Sequence, residues 1–248
     1  MIESQVTSKK GQVRSWFENP DKYLRRRQFD IRIRTETVEE LTKNLAFERV
    51  LDIGCGDGSI SLPLLQRSKK LTLLDLSTNM LAIARNAIPT ERADDVELIN
   101  SSFLESRLET ESFDLILCIG VLAHVGSPVA VVSEIARIAK PGACIILEFT
   151  DSSHFWGVPG ILYQKMLDLV RPASYTLNRL NNRYVMQLCG ENGLRPTALY
   201  RYGLPPPGTH KIARQDLMYQ VTRYLFGASD RNRNGWMGNE FLYRMEKS

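Results

Sequence analysis

The sequence has no C-x-x-C pair and no two histidines at metal-ligand spacing. Its four cysteines stand apart at positions 55, 118, 144 and 189, and it has only three histidines. A structural zinc is therefore not expected, no metal site is assigned, and the thiols read as small, reduced core-filling groups. Nor does the chain contain an apolar run near the roughly 18 to 20 residues that span a bilayer. Met1 to Val6 lack the basic-then-apolar layout of a secretion signal. A soluble, cytoplasmic protein is the expectation. There is no internal repeat and no low-complexity segment. A net charge of +4 with a pI near 8.9 falls short of the dense Lys/Arg footprint of a protein that holds a nucleic-acid backbone, so nucleic acid is not the expected partner.

What is present is a core of 43% hydrophobic residues in 248, enough for one α/β domain with additions. Val50 to Ile53 is a short apolar run suited to a buried parallel strand, and it breaks into Gly54, Gly56 and Gly58, which let the backbone turn sharply and approach a ligand. A helix is expected to start near Ser59 and run over Ile60 to Gln66, aiming its first N–H groups at that ligand. A second run, Leu71 to Asp75, ends in a carboxylate about twenty positions beyond Gly54, the spacing at which an acidic residue accepts ribose hydroxyls in doubly wound folds. A nucleoside-containing cofactor follows. The glycine spacing is G-x-G-x-G, not the G-x-G-x-x-G that seats a pyrophosphate, which argues against NAD.

Further strands are expected at Val96–Ile99, Phe113–Ile119, Cys144–Phe149 after a Lys140–Ala143 turn, Arg195–Tyr202 and Glu240–Met245. Between them lie helical segments at Ser77–Ala87 with Ser77 as N-cap, at Pro128–Ala139, and from about Leu180 to Asn192. This alternation implies an α/β fold, a doubly wound, mostly parallel sheet of seven strands with helices on both faces.

The pattern Asp52-x-Gly54-x-Gly56-x-Gly58 with Asp75 resembles the class I S-adenosylmethionine-dependent methyltransferases, and residues 45 to 150 keep the family's order. The resemblance implies S-adenosyl-L-methionine as cofactor and a last strand that enters antiparallel. It implies that Asp52 helps hold the cofactor's amino end, that Gly54, Cys55, Gly56 and Gly58 pass its methionine part, and that Asp75 takes the ribose, with Leu76 and Met80 beside it. Ile119 and Gly120, where the fourth strand ends, would lie under the methionine. Many members carry an Asp after the third strand; here Ser102 is the polar alternative and Phe103 an apolar wall. The family's Asn-Pro-Pro-Tyr type of motif for amino methylation is absent, and Ile119-Gly-Val-Leu-Ala-His-Val125 is similar to small-molecule O-methyltransferases of the ubiquinone and magnesium-protoporphyrin kind.

The chain thus divides into an N-terminal helical cap (1–45), a cofactor-binding core (46–150), a substrate-lid insertion (151–180) and the C-terminal part of the sheet (181–248). In the cap, a helix is expected from about Glu36 to Leu45. Arg25 to Arg27, Arg32 and Arg34 either meet an anionic substrate or the cofactor carboxylate, or form a solvated face. The insertion carries Phe155, Trp156, Tyr163, Met166 and Tyr175, which suit an organic acceptor or pack the insertion onto the core. His124 and His154 follow adjacent strand ends and are the candidates to take an acceptor proton, with Asp151 orienting His154 or acting itself; His124 could instead brace its loop, and His210 is peripheral. The reading is an enzyme that methylates a small organic acceptor, at oxygen in preference to nitrogen or carbon. Its rivals are an RNA methyltransferase and a cofactor-binding regulator without transfer chemistry. No oligomeric state follows from the sequence.

Overall fold

A computed structural model describes residues 20–155, 177–203 and 214–248. Trp16, Phe17, Trp156, Tyr163, Met166, Tyr175 and His210 lie outside these residues. The chain begins with helix α1 (Pro20–Thr42), then alternates β1 (Arg49–Ile53), β2 (Lys70–Asp75), α2 (Thr78–Ala87), β3 (Val96–Asn100), β4 (Phe113–Cys118), α3 (Pro128–Ile138) and β5 (Ala139–Thr150). It continues with α4 (Asn182–Glu191), β6 (Leu194–Tyr202), α5 (Gln215–Phe226) and β7 (Glu240–Lys247).

The strands form one seven-stranded sheet of order β3-β2-β1-β4-β5-β7-β6. β1 to β5 pair in parallel, and β7 enters antiparallel to both β5 and β6. Parallel strands need helical crossovers, so both faces are covered and both are apolar. Leu51, Ile53, Ile116, Cys118 and Leu147 fill one face with α3 and α4, while Val50, Leu71, Leu115, Leu117 and Ile146 fill the other with α1. All four cysteines are buried and free. Among the described residues no helix is long and apolar enough to cross a membrane.

Four elements depart from the expectation. The helix after the glycine loop is a 3-10 turn over Leu62–Gln66 with Pro63 near its start. Proline has no N–H to return to Ser59, whose carbonyl instead accepts the Thr35 hydroxyl at 3.3 Å. No helix N-terminus therefore starts at Ser59. The cap helix is twenty-three residues long, starting at Pro20, not Glu36, since nothing between Pro20 and Thr42 breaks it. It stops where Arg67 Nη2 caps the carbonyls of Thr42, Lys43 and Leu45. Helix α5 was not foreseen. It packs on α1 through Arg223, which meets Glu36 at 2.8 Å and Glu40 at 3.2 Å. The expected Lys140–Ala143 turn is an irregularity inside β5, with Gly142 at φ +75°.

Helix α2 begins as its sequence demands, the Ser77 hydroxyl accepting from the Met80 amide at 3.2 Å. Ser77→Ala should lower stability by about 1 kcal/mol, seen as a fall in the urea midpoint at unchanged m-value. An unchanged midpoint would show that the cap contributes nothing.

Candidate active site

The carboxyl ends of β1, β2 and β4 converge on the glycine loop. Gly54, Gly56 and Gly58 all hold positive φ, at +70°, +56° and +76°, which side-chain-bearing residues adopt only with strain. Their neighbours differ. A Cβ on Gly54 would lie 2.6 Å from Val121 in the loop after β4, whereas a Cβ on Gly56 would meet nothing within 4 Å. Open space therefore lies directly over Gly56. The amides of Gly54 and Cys55 donate to the Leu74 carbonyl at 2.8 and 3.1 Å, which draws the loop toward the end of β2.

Asp75 fastens it there. Its Oδ2 accepts from the Gly56 amide at 2.9 Å and its Oδ1 from the Ser77 amide at 2.7 Å. Each oxygen keeps a second lone pair for a ligand hydroxyl. Burial raises the Asp75 pKa against the pull of these amides. Asp52, near the end of β1 just before the loop, is buried, and its Oδ2 has no hydrogen-bond partner among the described residues. Burial pushes its pKa up to about 7; the nearby Ser61 hydroxyl opposes this without making a well-formed hydrogen bond, and the Asp75 and Asp57 carboxylates reinforce it. An orphaned buried carboxylate oxygen beside an open glycine loop is a seat for a donor, such as an ammonium group.

The remaining candidates divide. Met80 is buried at the start of α2, Leu76 is half-buried beside Asp75, and Cys55 is buried, its thiol pushed well up by burial. Ser102 is half-buried at the end of β3, where its carbonyl accepts from Glu105. Phe103 is buried in the core with Ile53 and Leu74, which accounts for it by packing. Ile119 is buried and Gly120 has φ +70°. His124 sits in the turn after β4, its amide donating to the Val121 carbonyl at 2.8 Å. His154 has Nε2 2.9 Å from the Trp236 carbonyl. Asp151, placed near it in sequence, is engaged at both oxygens: Oδ1 accepts from the Ser153 amide and hydroxyl at 2.8 and 2.6 Å, and Oδ2 from the Asn182 amide at 3.3 Å. These bonds make Asp151 a brace for the start of α4.

Two groups of residues escaped the sequence reading, Asn178 and the acids that pair with Arg34, the arginine itself being one of the cap candidates. Asn178 donates through Nδ2 to the carbonyls of Leu122 and Val125 at 2.9 and 2.8 Å, and its amide donates to Ala123 at 2.8 Å. It pins the loop that carries His124. The second group lies beneath Gly120. Arg34 of α1 meets Glu148 of β5 at 2.8 Å and Asp30 at 3.2 Å, and the place a Gly120 Cβ would take is 3.7 Å from both Arg34 Nη2 and Glu148 Oε2. Of the cap arginines, Arg32 instead lies at the surface against Glu36 and over the Tyr219 ring. A lone Glu in the apolar run Ile145–Phe149 was the available signal.

The comparisons fit this geometry. A doubly wound sheet whose ligand edge carries a three-glycine loop and an acid after the second strand is a nucleoside-binding fold. Residues 51–147 match the family model described as a methyltransferase domain. The chain is 28% identical over 172 residues to a ubiquinone biosynthesis O-methyltransferase of Dechloromonas aromatica, covering 69% of this chain and 59% of that one. It is 34% identical over 114 residues to one of Idiomarina loihiensis, covering 46% of each. The chain thus spans about half the length of these curated relatives. Its fold is that of magnesium protoporphyrin IX methyltransferase from Synechocystis PCC 6803, with a TM-score of 0.67 at 18% identity over 97% of this chain and 100% of that one. A possible histamine N-methyltransferase from Thermotoga maritima superposes with a TM-score of 0.66 at 19% identity over 98% and 99%.

The buried acids set a pH dependence. Asp52 and Glu240 ionise near 4 when unfolded but near 7 and 8 when folded, so the stability tied to their protonated forms is complete below about pH 4 and is lost as pH rises through 7 and 8. Glu36 and Asp114, whose pKa values are lowered, act oppositely and lose their contribution only on acidification. Thermal midpoints should therefore fall between about pH 5 and 9, and Glu240→Gln should flatten part of that fall. A midpoint that rises across this range would contradict the assignment.

Proposed function

We propose that this protein transfers a methyl group from S-adenosyl-L-methionine to an oxygen of a small organic acceptor. The observation that carries the cofactor assignment is the pairing of open space over Gly56 with two anchored or orphaned acids, Asp75 and Asp52. In this reading the donor to Asp52 is the cofactor's ammonium group, and the Asp75 lone pairs accept the ribose hydroxyls. Arg34, held in place by Asp30 and Glu148 beside Gly120, faces the cofactor's carboxylate. The cofactor, when bound, supplies an electrophilic sulfonium methyl. The chain's part is to hold the acceptor oxygen in line behind that methyl, keep water out and receive the acceptor's proton.

The preference for oxygen is supported by the relatives named O-methyltransferase and by the segment after β4. Acceptor binding is assigned to the insertion, whose two ends close at the ligand edge of the sheet: Ser152 donates to the Leu180 carbonyl, and Asn178 grips the His124 loop. His124 and His154 are the proton acceptors offered at that edge. Incubation with radiolabelled cofactor and fractionated extract tests the whole: label in small metabolites supports the proposal, label in RNA replaces the acceptor class, and no label with intact cofactor binding makes the chain a binding protein.

Calorimetry should show binding of S-adenosylmethionine and of its demethylated product, and none comparable of NAD. Gly56→Val should abolish it in a folded protein, and Asp75→Ala should weaken it by at least about 1.5–3 kcal/mol, because Asp75 also anchors the loop. Retained binding in both variants would remove the cofactor from this loop.

Histidine chemistry has its own signature. His124→Ala or His154→Ala should reduce turnover roughly 10²- to 10⁴-fold at constant cofactor affinity if that ring takes the proton. Full activity of the double variant would leave positioning alone as the source of rate.

A further inference from the structure

Beneath Gly120 the fold buries more negative than positive charge. Asp30 of α1, Glu148 of β5 and Glu240 of β7 are each at most 1% exposed. Among the described residues the guanidinium buried with them is that of Arg34, while Arg27 reaches Asp30 from a half-exposed position. From β6 the Tyr202 hydroxyl donates to Asp30 at 2.6 Å and lies 3.3 Å from Glu148 Oε1. Thr150 donates to Glu240 Oε2 at 3.0 Å. These are the charged and titratable groups that α1, β5, β6 and β7 turn toward the cluster. Two atoms are left over: Glu148 Oε2 and Glu240 Oε1 are buried with no hydrogen-bond partner among the described residues.

A buried carboxylate without a partner takes up a proton in preference to remaining charged. Glu148 and Glu240 are diagonal neighbours on one face, since Glu148 pairs with Leu242 and Thr150 with Glu240. We propose that the Glu148–Glu240 pair is a proton-binding site coupled to the cofactor seat, so that the cofactor's amino-acid end and a proton bind together. The proposal rests on the reading in which Arg34 meets the cofactor's carboxylate. That carboxylate would arrive where Arg34 Nη2 and Glu148 Oε2 both stand 3.7 Å from the vacant Cβ position of Gly120. Four carboxyl groups then surround one guanidinium, and the added charge favours the protonated form of the pair. Burial and the neighbouring Glu148 already push Glu240 up to about 8, and burial raises Glu148 against the pull of Arg34. Below that pH the proton is in place beforehand; above it, binding must draw one in. By linkage, protons strengthen cofactor binding by the factor with which the cofactor strengthens proton binding.

The test is calorimetry of the full chain with S-adenosylhomocysteine at about pH 8.5, in two buffers of different ionisation enthalpy. The parent should take up protons in excess of Glu240→Gln, which cannot titrate; titration of the ligand's own amine is common to both and cancels. Above about pH 8 the parent's affinity should fall relative to that variant, approaching about tenfold per pH unit. Thr150→Val removes a bond that favours the charged form of Glu240 and should move the onset to higher pH. Equal proton uptake and parallel pH profiles in parent and Glu240→Gln overturn the proposal. If Glu240→Gln does not fold by circular dichroism, an unmoved onset in Thr150→Val overturns it. Absence of binding by the folded parent at every pH overturns the cofactor assignment instead.

Discussion

The carboxylate of Asp75 accepts from the amides of Gly56 and Ser77, and these bonds join the end of β1 to the end of β2 at the edge where the strands have stopped pairing. Without them the glycine loop would be tied to β2 only through the Gly54 and Cys55 amides on the Leu74 carbonyl. Its three residues at positive φ gain no side-chain packing of their own, and glycine loses the most conformational freedom on ordering. Asp75 also steadies the entry to α2, whose first turn is completed by Ser77. One side chain therefore sets both the floor and one wall of the site, and its cost in desolvation is visible in its raised pKa.

Helix α1 is held over the sheet in an unlike manner. Apolar residues such as Phe29, Ile33, Val38 and Leu41 are buried along it, but beside them Arg34 meets Glu148 of β5 and Asp30 accepts from Tyr202 of β6. Buried ion pairs of this kind recover little net stability once desolvation is counted, yet breaking one partner leaves a charge stranded. They are strict about position. An apolar contact would tolerate a slide of α1 along the sheet, whereas the Arg34 fork must meet Glu148 and Asp30 together.

Much of the fold was legible because the strands of a parallel sheet announce themselves as apolar runs punctuated by glycine. Val50–Ile53 and Phe113–Cys118 needed no more than that, and Ser77 marked its helix by cap chemistry. The failures were equally physical. Ile60 to Gln66 has helical composition, but Pro63 removes the donor that a first turn would need. Helix α1 extends far beyond its apolar stretch because charged residues at its start propagate a helix without advertising a face. In the site, Asp52, Asp75 and the glycines were readable because they sit next to one another in the chain or at strand ends. Arg34, Glu148 and Glu240 come from three distant segments, and only the register of β5 against β7 puts the two glutamates side by side. Asp151 was legible only in part: its place near His154 can be read along the chain, whereas its bond to the Asn182 amide depends on the fold.

The order of the strands also dictates a timetable. β6 has β7 as its sole neighbour in the sheet, and β7 lies nearly forty residues further along the chain. During synthesis, β1 to β5 can assemble as each strand emerges, but β5 keeps an unpaired edge and β6 has nothing to join until residues 240–247 have left the ribosome. Those exposed edges can pair with other chains in the meantime. The last strand is the keystone of the sheet, and a truncation before residue 240 would open the edge of β5 and leave β6 without a neighbour.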